Sequence, residues 1–207
     1  MADRITQSAD ILLQESESQN LEGAGFSGAS GLRSFRFYVN DFDTETEGID
    51  VVANYPFKLS GGNSTLSMTY NYNTTKVTRF DAATLDELRI RQIEKIFPRH
   101  RGNVTWSHVL GSWRTMVRTN YFGNYWIAHV GDLGLVFDPA AEVTVDIEVA
   151  LSFGKESNFA IIAGAENAFD NAPDKNPYST VIGAKYSEYT PINGIGGVYY
   201  MRLRYES

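Results

Sequence analysis

Apolar and polar residues alternate with a period of two through most of the chain. The clearest stretch is EVTVDIEVALSF at 142–153, where every second residue from Val143 to Phe153 is apolar and the residues between them, from Glu142 to Ser152, are mostly polar. The same pattern recurs at 35–39, 49–59, 64–73, 104–110, 113–121 and 199–206. Because a period of two is that of a half-buried β-strand, the sequence predicts an all-β protein with long antiparallel strands.

The connections between these strands alternate between short and long. Short polar turns occur at 60–63, 111–112 and 154–157, and long connections occur at 79–98, 127–141 and 170–196. Long loops without secondary structure are uncommon in compact soluble domains. They are typical of the extracellular side of membrane β-barrels, whose periplasmic turns are short.

Two segments depart from the strand pattern. The stretch TLDELRIRQIEKIF at 84–97 predicts one helix, with Thr84 as N-cap, Glu87 completing a capping box and Pro98 ending it. We expect this helix to pack one face on its own protein. The Gly/Ser-rich residues 14–31 are expected to form a flexible connection.

The aromatic residues fall near both ends of the predicted strands. Those beside the short turns are Phe57, Trp113, Phe153, Phe159 and Tyr205, and those near the other ends are Tyr121, Tyr125, Trp126 and Tyr199. Two aromatic girdles around an apolar band are typical of a protein that spans a bilayer. Aromatic residues also flank hairpins in soluble β-proteins, so a β-sandwich remains an alternative at this point.

Composition narrows the class of protein. The chain is 43% hydrophobic and 21% charged, which excludes a disordered chain, and its net charge of −7 argues against nucleic acid as a partner. It has no cysteine, so disulfides and thiolate sites are excluded. It has no run of about 18 apolar residues, so no transmembrane helix is predicted. The N-terminal residues 1–14 do not form a signal peptide.

No constellation of catalytic residues is recognisable. The only histidines are His100, His108 and His129, which would need a distant carboxylate to hold a metal, and a hydrogen-bonded or exposed role is favoured. Asp146 and Glu148 lie on the polar face, where we expect them to line a wet lumen. Phosphate-loop, dinucleotide and nucleophile-elbow motifs are absent. We therefore expect no enzyme activity, no cofactor and no metal.

Several segments resemble the barrel of TonB-dependent outer-membrane receptors. The segment FYVNDFDTETEGIDVVANYPFKL at 37–59 resembles a strand, an acidic Asp-Thr run and a descending strand of that family. The segment FAIIAGAENAFDNAPDKNP at 159–177 is similar to its Asn-Leu-Phe-Asp segment, with Ala168 where Leu is usual. Residues 189–207 resemble the C-terminal strand, and 97–125 also follow the family pattern.

This resemblance implies a 22-stranded barrel with an N-terminal plug, which takes up siderophores, cobalamin or oligosaccharides across the bacterial outer membrane when TonB supplies energy. Residues 1–207 would then form the C-terminal part of the barrel, without the plug, the TonB-contacting segment or the first strands. Its nine or so strands are expected at 3–13, 33–40, 45–59, 64–78, 99–110, 112–126, 142–153, 158–168 and 197–206.

The resemblance also implies partners and site residues. The partners would be outer-membrane lipid, the N-terminal barrel and plug, TonB through the plug, and the barrel-assembly machinery. Tyr178, Tyr186 and Tyr189 in the last loop are candidate ligand contacts by position. The C-terminal strand that the assembly machinery reads would present Tyr199, Met201, Leu203 and Tyr205 on one face.

Two departures from the family pattern bear on assembly. The sequence ends Tyr205-Glu206-Ser207 where an aromatic residue is usual, and Gly197-Val198 replaces Gly-Arg. An incomplete barrel would also have two open edges, which are costly in lipid, so the chain should pair with its missing half, self-associate or aggregate. The alternatives are a self-contained small outer-membrane barrel, acting as a pore or an enzyme, and a soluble β-sandwich binding module.

Overall fold

The structure, a computed structural model, describes residues 3–12, 24–25, 34–82, 85–129, 132–155 and 158–206. The predicted flexible segment 14–31 lies outside the described residues apart from 24 and 25. The strands are β1 (Asp3–Leu12), β2 (Ser34–Leu59), β3 (Gly62–Phe80), β4 (His100–Leu110), β5 (Trp113–Phe122), β6 (Ile127–His129), β7 (Asp132–Phe137), β8 (Glu142–Phe153), β9 (Phe159–Glu166) and β10 (Val198–Tyr205). The helices are α1 (Glu87–Lys95) and α2 (Ser179–Ile182).

The chain divides into two compact units. The first comprises residues 1–46 and 75–93. In it β1 pairs antiparallel with the start of β2, from Asp3 opposite Thr44 to Leu12 opposite Ser34. Arg79 donates two hydrogen bonds, of 2.7 and 3.0 Å, to the carboxylate of Asp43. This two-pronged contact joins the end of β3 to β2 within the unit.

The prediction that 33–40 and 45–59 form separate strands is wrong. Both lie in β2, a single strand of 26 residues. The pairing with β1 continues through the acidic run, and the register shifts between Ile5 and Thr6, opposite Phe42 and Asn40. A β-bulge of this kind absorbs one extra residue without ending the strand, so the polar run does not become a turn.

Helix α1 forms where a helix was predicted, but it begins two to three residues later than expected. Asp86 is its N-cap, because the Asp86 carboxylate accepts the backbone N–H of Arg89 at 2.7 Å. Thr84, the predicted cap, lies outside the described residues. Leu85 and Gln92 are buried, as expected for a helix that packs one face on its own protein, whereas Leu88 is exposed.

The second unit comprises residues 47–74 and 94–207 and contains a seven-stranded antiparallel meander. The strand order is β2-β3-β4-β5-β8-β9-β10, so every strand pairs with its sequence neighbour except where β6 and β7 intervene. Two-residue turns join β2 to β3 and β4 to β5. Ser60 and Gly61 in the first turn both have positive φ, which suits a tight hairpin. The predicted antiparallel all-β fold is therefore confirmed.

The two faces of the meander are as different as the alternation predicts. Residues that oppose one another across antiparallel strands share a face. One row on the apolar face crosses six strands and consists of Leu66, Trp106, Val117, Ile147, Ala165 and Tyr199. A row on the other face consists of Ser67, Thr105, Arg118 and Asp146.

On β8, the side chains of the polar face are more buried than those of the apolar face. On β8, Glu142, Thr144 and Ala150 are buried, whereas Val143 and Phe153 on the apolar face are exposed. A small hydrophobic cluster of Ala150, Ala160 and Ile162, with Tyr200 packed against it, lies on the same side as the polar residues of β8. On β8 the polar face is therefore more buried than the apolar face, and large apolar side chains are exposed across the meander.

The predicted girdles are only partly formed on that apolar face. Phe153 stacks on Phe159 at 5.7 Å between ring centroids, and Phe159 contacts Tyr205 at 4.8 Å, so three rings lie together beside a short turn. Tyr125 and Trp126 do not belong to a second girdle. They are 3% and 5% exposed, because they lie in the connection after β5 and pack inside it.

The long connections are not structureless. The strands Ile127–His129 and Asp132–Phe137 pair as the hairpin β6–β7, in which Ile127 opposes Phe137, and residues 170–197 contain α2. The sequence analysis predicted neither the hairpin nor α2. The alternation of Leu133, Leu135 and Phe137 was the available signal for the hairpin.

Candidate functional site

A pocket of about 210 Å³ lies between hairpin β6–β7 and the last loop. Its apolar side comes mainly from the hairpin and its polar and aromatic side from the loop. The lining residues are Ile127, Ala128, Leu135, Phe137, Asn176, Tyr178, Ile182, Ala184, Tyr186, Ser187, Glu188 and Tyr189. Since Ile127 and Ala128 are themselves 7% and 0% exposed, the pocket has a packed base on the hairpin.

Asn176 sets the shape of the loop side. Its backbone N–H donates to the carbonyl of Lys185 at 2.9 Å, and its side-chain oxygen accepts the N–H of Tyr178 at 2.9 Å. Helix α2 follows at once and ends at Gly183, whose φ of 76° is left-handed and whose N–H bonds to Ser179. The Asn176 side chain therefore positions the start of α2, and the Asn176 backbone N–H fixes this point of the loop to the segment at Lys185.

All three predicted ligand contacts, Tyr178, Tyr186 and Tyr189, line this pocket. The Tyr186 ring lies against Gly194, where a Cβ atom would be 2.6 Å from the ring, and the Lys185 ammonium lies 4.7 Å from its centroid. Tyr189 meets Phe97 edge to face at 6.3 Å. The structure therefore brings together three residues that the sequence could single out only by position.

The pocket lining indicates what kind of group would bind. Glu188 is the one charged side chain among the described lining residues, and the Lys185 ammonium lies against the Tyr186 ring that lines the pocket. Aromatic faces and aliphatic side chains favour a ring or an apolar group, and hydroxyl groups supply orientation. The Ser187 hydroxyl accepts the backbone N–H of Tyr189 at 3.1 Å, so it stabilises the loop.

Glu148 is the centre of an ion-pair network on the polar face of the meander. Its carboxylate contacts Arg202 at 2.7 Å and Arg114 at 3.2 Å, and it accepts the Tyr200 hydroxyl at 2.9 Å. These contacts cross from β8 to β10 and to β5. The network is made of strand-to-strand contacts.

Asp146 holds the segment that follows β9. Its carboxylate accepts the backbone N–H of Asn167 and the side-chain amide of Asn120, each at 2.9 Å. Asn167 has a φ of 50° and bonds through its own side chain to both backbone groups of Asn171. Asp170 then accepts the N–H of Gly197 at 2.8 Å. The Asn-Ala-Phe-Asp segment is thus a hydrogen-bonded turn that ties together the ends of the last loop.

A buried polar cluster lies where the connection after β5 meets the start of β8. Tyr125 is 3% exposed and Glu142 is 5% exposed. Burial of the Tyr125 phenol, together with the negative charges of Glu142 and Asp174, raises its pKa to about 12, although the nearby Thr190 hydroxyl opposes the shift. These four residues come from three separate parts of the chain.

The histidines make hydrogen bonds to hydroxyl groups. The Nδ1 atom of His108 lies 2.8 Å from the Ser64 hydroxyl, and the Nδ1 atom of His100 lies 2.8 Å from the Tyr70 hydroxyl. The side chain of His129 lies outside the described residues. Across the described ranges, no group of three or more His, Cys, Asp or Glu residues is placed to hold a metal.

The C-terminal strand β10 carries its four predicted residues on one face. Tyr199, Met201, Leu203 and Tyr205 are between 59% and 77% exposed. Between them, Tyr200 and Arg202 point to the other face and contact Glu148. The predicted alternation of this strand is present, and its role in assembly stays a prediction.

Comparison with protein-family models, with curated proteins and with solved structures gave no match. In the described part of the chain, no helix is long and apolar enough to cross a membrane. The likeness to TonB-dependent receptors therefore rests on the sequence segments quoted above.

Proposed function

We propose that this chain is the C-terminal barrel portion of a TonB-dependent receptor in a bacterial outer membrane. The observation that carries the proposal is the uncovered apolar face of the meander. Side chains exposed on it include Met68, Val104, Trp113, Val143, Ile161 and Met201, which are spread over six strands. Burying one large apolar side chain contributes about 1.5–3 kcal/mol, so a whole face left in water would be a large loss.

The opposite face supports lipid, rather than a second protein layer, as the cover for the apolar one. It carries the Glu148 network and the Asp146 contacts, together with a hydrogen bond of 2.7 Å from Asn71 to Asp50. In a soluble sandwich the enclosed faces are apolar and the polar faces meet water. Enclosed polar residues with outward apolar residues are the arrangement of a membrane barrel with a wet interior.

The tyrosine-lined pocket is the proposed ligand contact. In the intact receptor the transported ligand would be a siderophore, cobalamin or an oligosaccharide, and TonB would supply energy through the plug. A pocket of about 210 Å³ admits one ring or terminal group of such a ligand rather than the whole molecule. Since the described lining residues are mostly aromatic and aliphatic, the pocket favours a neutral ring or an apolar group.

Strand β10 is the proposed edge for pairing with the rest of the barrel. In the described residues β10 pairs with β9 alone, so its other edge has unpaired backbone groups. Such groups are costly in lipid unless another strand adds to them. The barrel-assembly machinery and the N-terminal strands of the receptor are the partners that this proposal assigns to that edge.

Quenching by brominated lipid tests the lipid-facing assignment with a control in the same chain. Trp113 is 52% exposed on the apolar face, and Trp126 is 5% exposed in the connection after β5. Two single-tryptophan chains, made by Trp→Phe substitution of the other two positions, would be reconstituted into vesicles of lipid brominated in the acyl chains. We expect strong quenching of Trp113 and little quenching of Trp126.

Two results would count against the proposal. One is equal quenching of the two tryptophans, and the other is a chain that folds cooperatively as a monomer without detergent or lipid. A second candidate, a self-contained small barrel, is favoured by one observation: the sheet has eight strands in the described residues, an even number. A heat-modifiable monomer in detergent, folded without any other chain, would favour that candidate.

A further inference from the structure

Glu142 has a buried carboxylate that no described residue pairs with or hydrogen-bonds to in normal geometry. The residue is 5% exposed, and neither of its carboxylate oxygens has a hydrogen bond of normal geometry. The ion pairs of the described part of the chain give Glu142 no basic partner. A buried charge that is neither paired nor hydrogen-bonded costs several kcal/mol, so a further group should accompany this carboxylate.

The side chains around Glu142 carry carboxylate and hydroxyl oxygens, and one backbone N–H lies beside them. The backbone N–H of Asp174 and the Thr190 hydroxyl approach the carboxylate without forming normal hydrogen bonds, and the Thr190 oxygen is itself buried and unpartnered. The Asp174 carboxylate accepts the N–H of Ala140 at 2.9 Å, which places it beside the start of β8. The Tyr125 hydroxyl completes the cluster.

We propose that Glu142 and Asp174, with the hydroxyl groups of Thr190 and Tyr125, bind a hard cation of the calcium type. Calcium takes six to eight oxygen ligands from carboxylates, other oxygen donors and water, and tolerates irregular geometry. Two carboxylates balance its charge. Because the cluster has only two acidic residues, water would complete the coordination.

A protonated Glu142 is the alternative solution to the same problem. A neutral carboxylic acid could donate its single O–H to one acceptor such as the Thr190 hydroxyl, and its second oxygen would still be buried without a partner. A cation satisfies both carboxylate oxygens and the Thr190 oxygen together. The cation site therefore accounts for more of the unpartnered atoms than a proton does.

Because of where the cluster lies, a bound cation would stabilise the loop that bears the pocket. Asp174 lies two residues before Asn176, and Thr190 directly follows Tyr189, so the cation would hold both ends of the segment that bears the pocket. It would fix this segment to the first residue of β8. The inference depends on the loop structure and is independent of whether the apolar face meets lipid.

Terbium luminescence tests the site directly on the full, folded chain. Tb³⁺ replaces Ca²⁺ and emits when a nearby tyrosine or tryptophan is excited, and Tyr125 is a buried member of the cluster. We expect saturable emission at one site per chain, which CaCl₂ displaces. Glu142→Gln and Asp174→Asn should each weaken Tb³⁺ binding at least tenfold, whereas Glu166→Gln, the same change on exposed β9, should leave it unchanged.

A second variant keeps the test decisive if Glu142→Gln does not fold. Thr190→Val preserves the volume of the side chain and removes one oxygen, so weaker Tb³⁺ binding with an unchanged far-ultraviolet circular dichroism spectrum supports the site. Absence of saturable, calcium-displaceable emission from the wild-type chain would overturn the proposal. The proposal would also be overturned if the Glu142→Gln variant were more stable than wild type in calcium-free buffer and bound Tb³⁺ equally well, because a protonated carboxyl group would behave in that way.

Discussion

Replacing Gly164 with Ala should destabilise the protein because Tyr200 lies across that glycine. Gly164 opposes both Glu148 on β8 and Tyr200 on β10. A Cβ atom at position 164 would be 2.4 Å from Cζ and 2.5 Å from the hydroxyl oxygen of Tyr200. Carbon atoms in contact lie about 3.5–4.0 Å apart, so the ring would have to move away.

The size of the effect follows from what the ring contacts. Its hydroxyl donates to the Glu148 carboxylate at 2.9 Å, and a hydrogen bond to a charged group contributes about 1.5–3 kcal/mol. The Arg202 guanidinium lies 4.7 Å from the ring centroid, a contact worth about 0.5–1 kcal/mol at an exposed site. Alanine in a strand regains about 0.5–1 kcal/mol relative to glycine. We therefore expect a net loss of about 1–3 kcal/mol in the free energy of unfolding.

A double-mutant cycle isolates the contact. Denaturant unfolding would be followed for the wild-type chain, Gly164→Ala, Tyr200→Ala and the double variant, all in the same detergent or buffer. In the Tyr200→Ala background, Gly164→Ala should be neutral or stabilise by about 0.5 kcal/mol, since the obstacle has been removed. Equal destabilisation in both backgrounds would refute the reasoning, because the cost would then arise from the backbone of β9.

Three further predictions follow from single contacts. Asp170→Ala removes the acceptor of the Gly197 N–H and should lower the free energy of unfolding by about 1 kcal/mol in denaturant unfolding, whereas Asp170→Asn, which keeps an oxygen acceptor, should lose less. Because the folded pKa of Tyr125 is about 12 against 10.0 unfolded, this residue should lower stability by up to about 2.7 kcal/mol as pH rises from 10 to 12, and Tyr125→Phe should remove that contribution and make the fall smaller. Asp86→Ala removes the cap of α1 and should cost about 1 kcal/mol, seen as faster proteolysis at 85–95.

Sequence alone could predict the strands because their signal is local. In β8 and β10 each residue's face follows from its parity, so Val143 and Met201 are placed without any knowledge of their neighbours. The error in β2 has the opposite cause. Its acidic run has the composition of a turn, but β1, about 35 residues earlier in the chain, and β3 lie on either side of β2, and pairing with both keeps it extended.

The candidate site was harder to predict because its residues are distant in sequence. Tyr178, Tyr186 and Tyr189 could be proposed from their loop, but the base formed by Ile127 and Ala128 depends on a hairpin about 50 residues earlier. Glu142, Asp174 and Thr190 carry no shared motif at all. The same limit explains the misplacement of Tyr125 and Trp126, whose position near a strand end suggested a girdle when both side chains are buried in the loop cluster.

The pocket depends on the strand register of the meander as well as on its own loop. The last loop leaves β9 and returns to β10, and the hydrogen bond from Gly197 to Asp170 brings its two ends together at the level where the strands begin to pair. Closing a flexible loop of this length has an entropic cost, and the pairing of β9 with β10 offsets it by holding the two ends of the loop close together. A shift of one residue between β9 and β10 would move Tyr200 off Gly164 and would also separate Asp170 from Gly197. The stability of the Glu148 network and the geometry of the tyrosine-lined pocket should therefore change together, as expected where a rigid scaffold positions a binding loop.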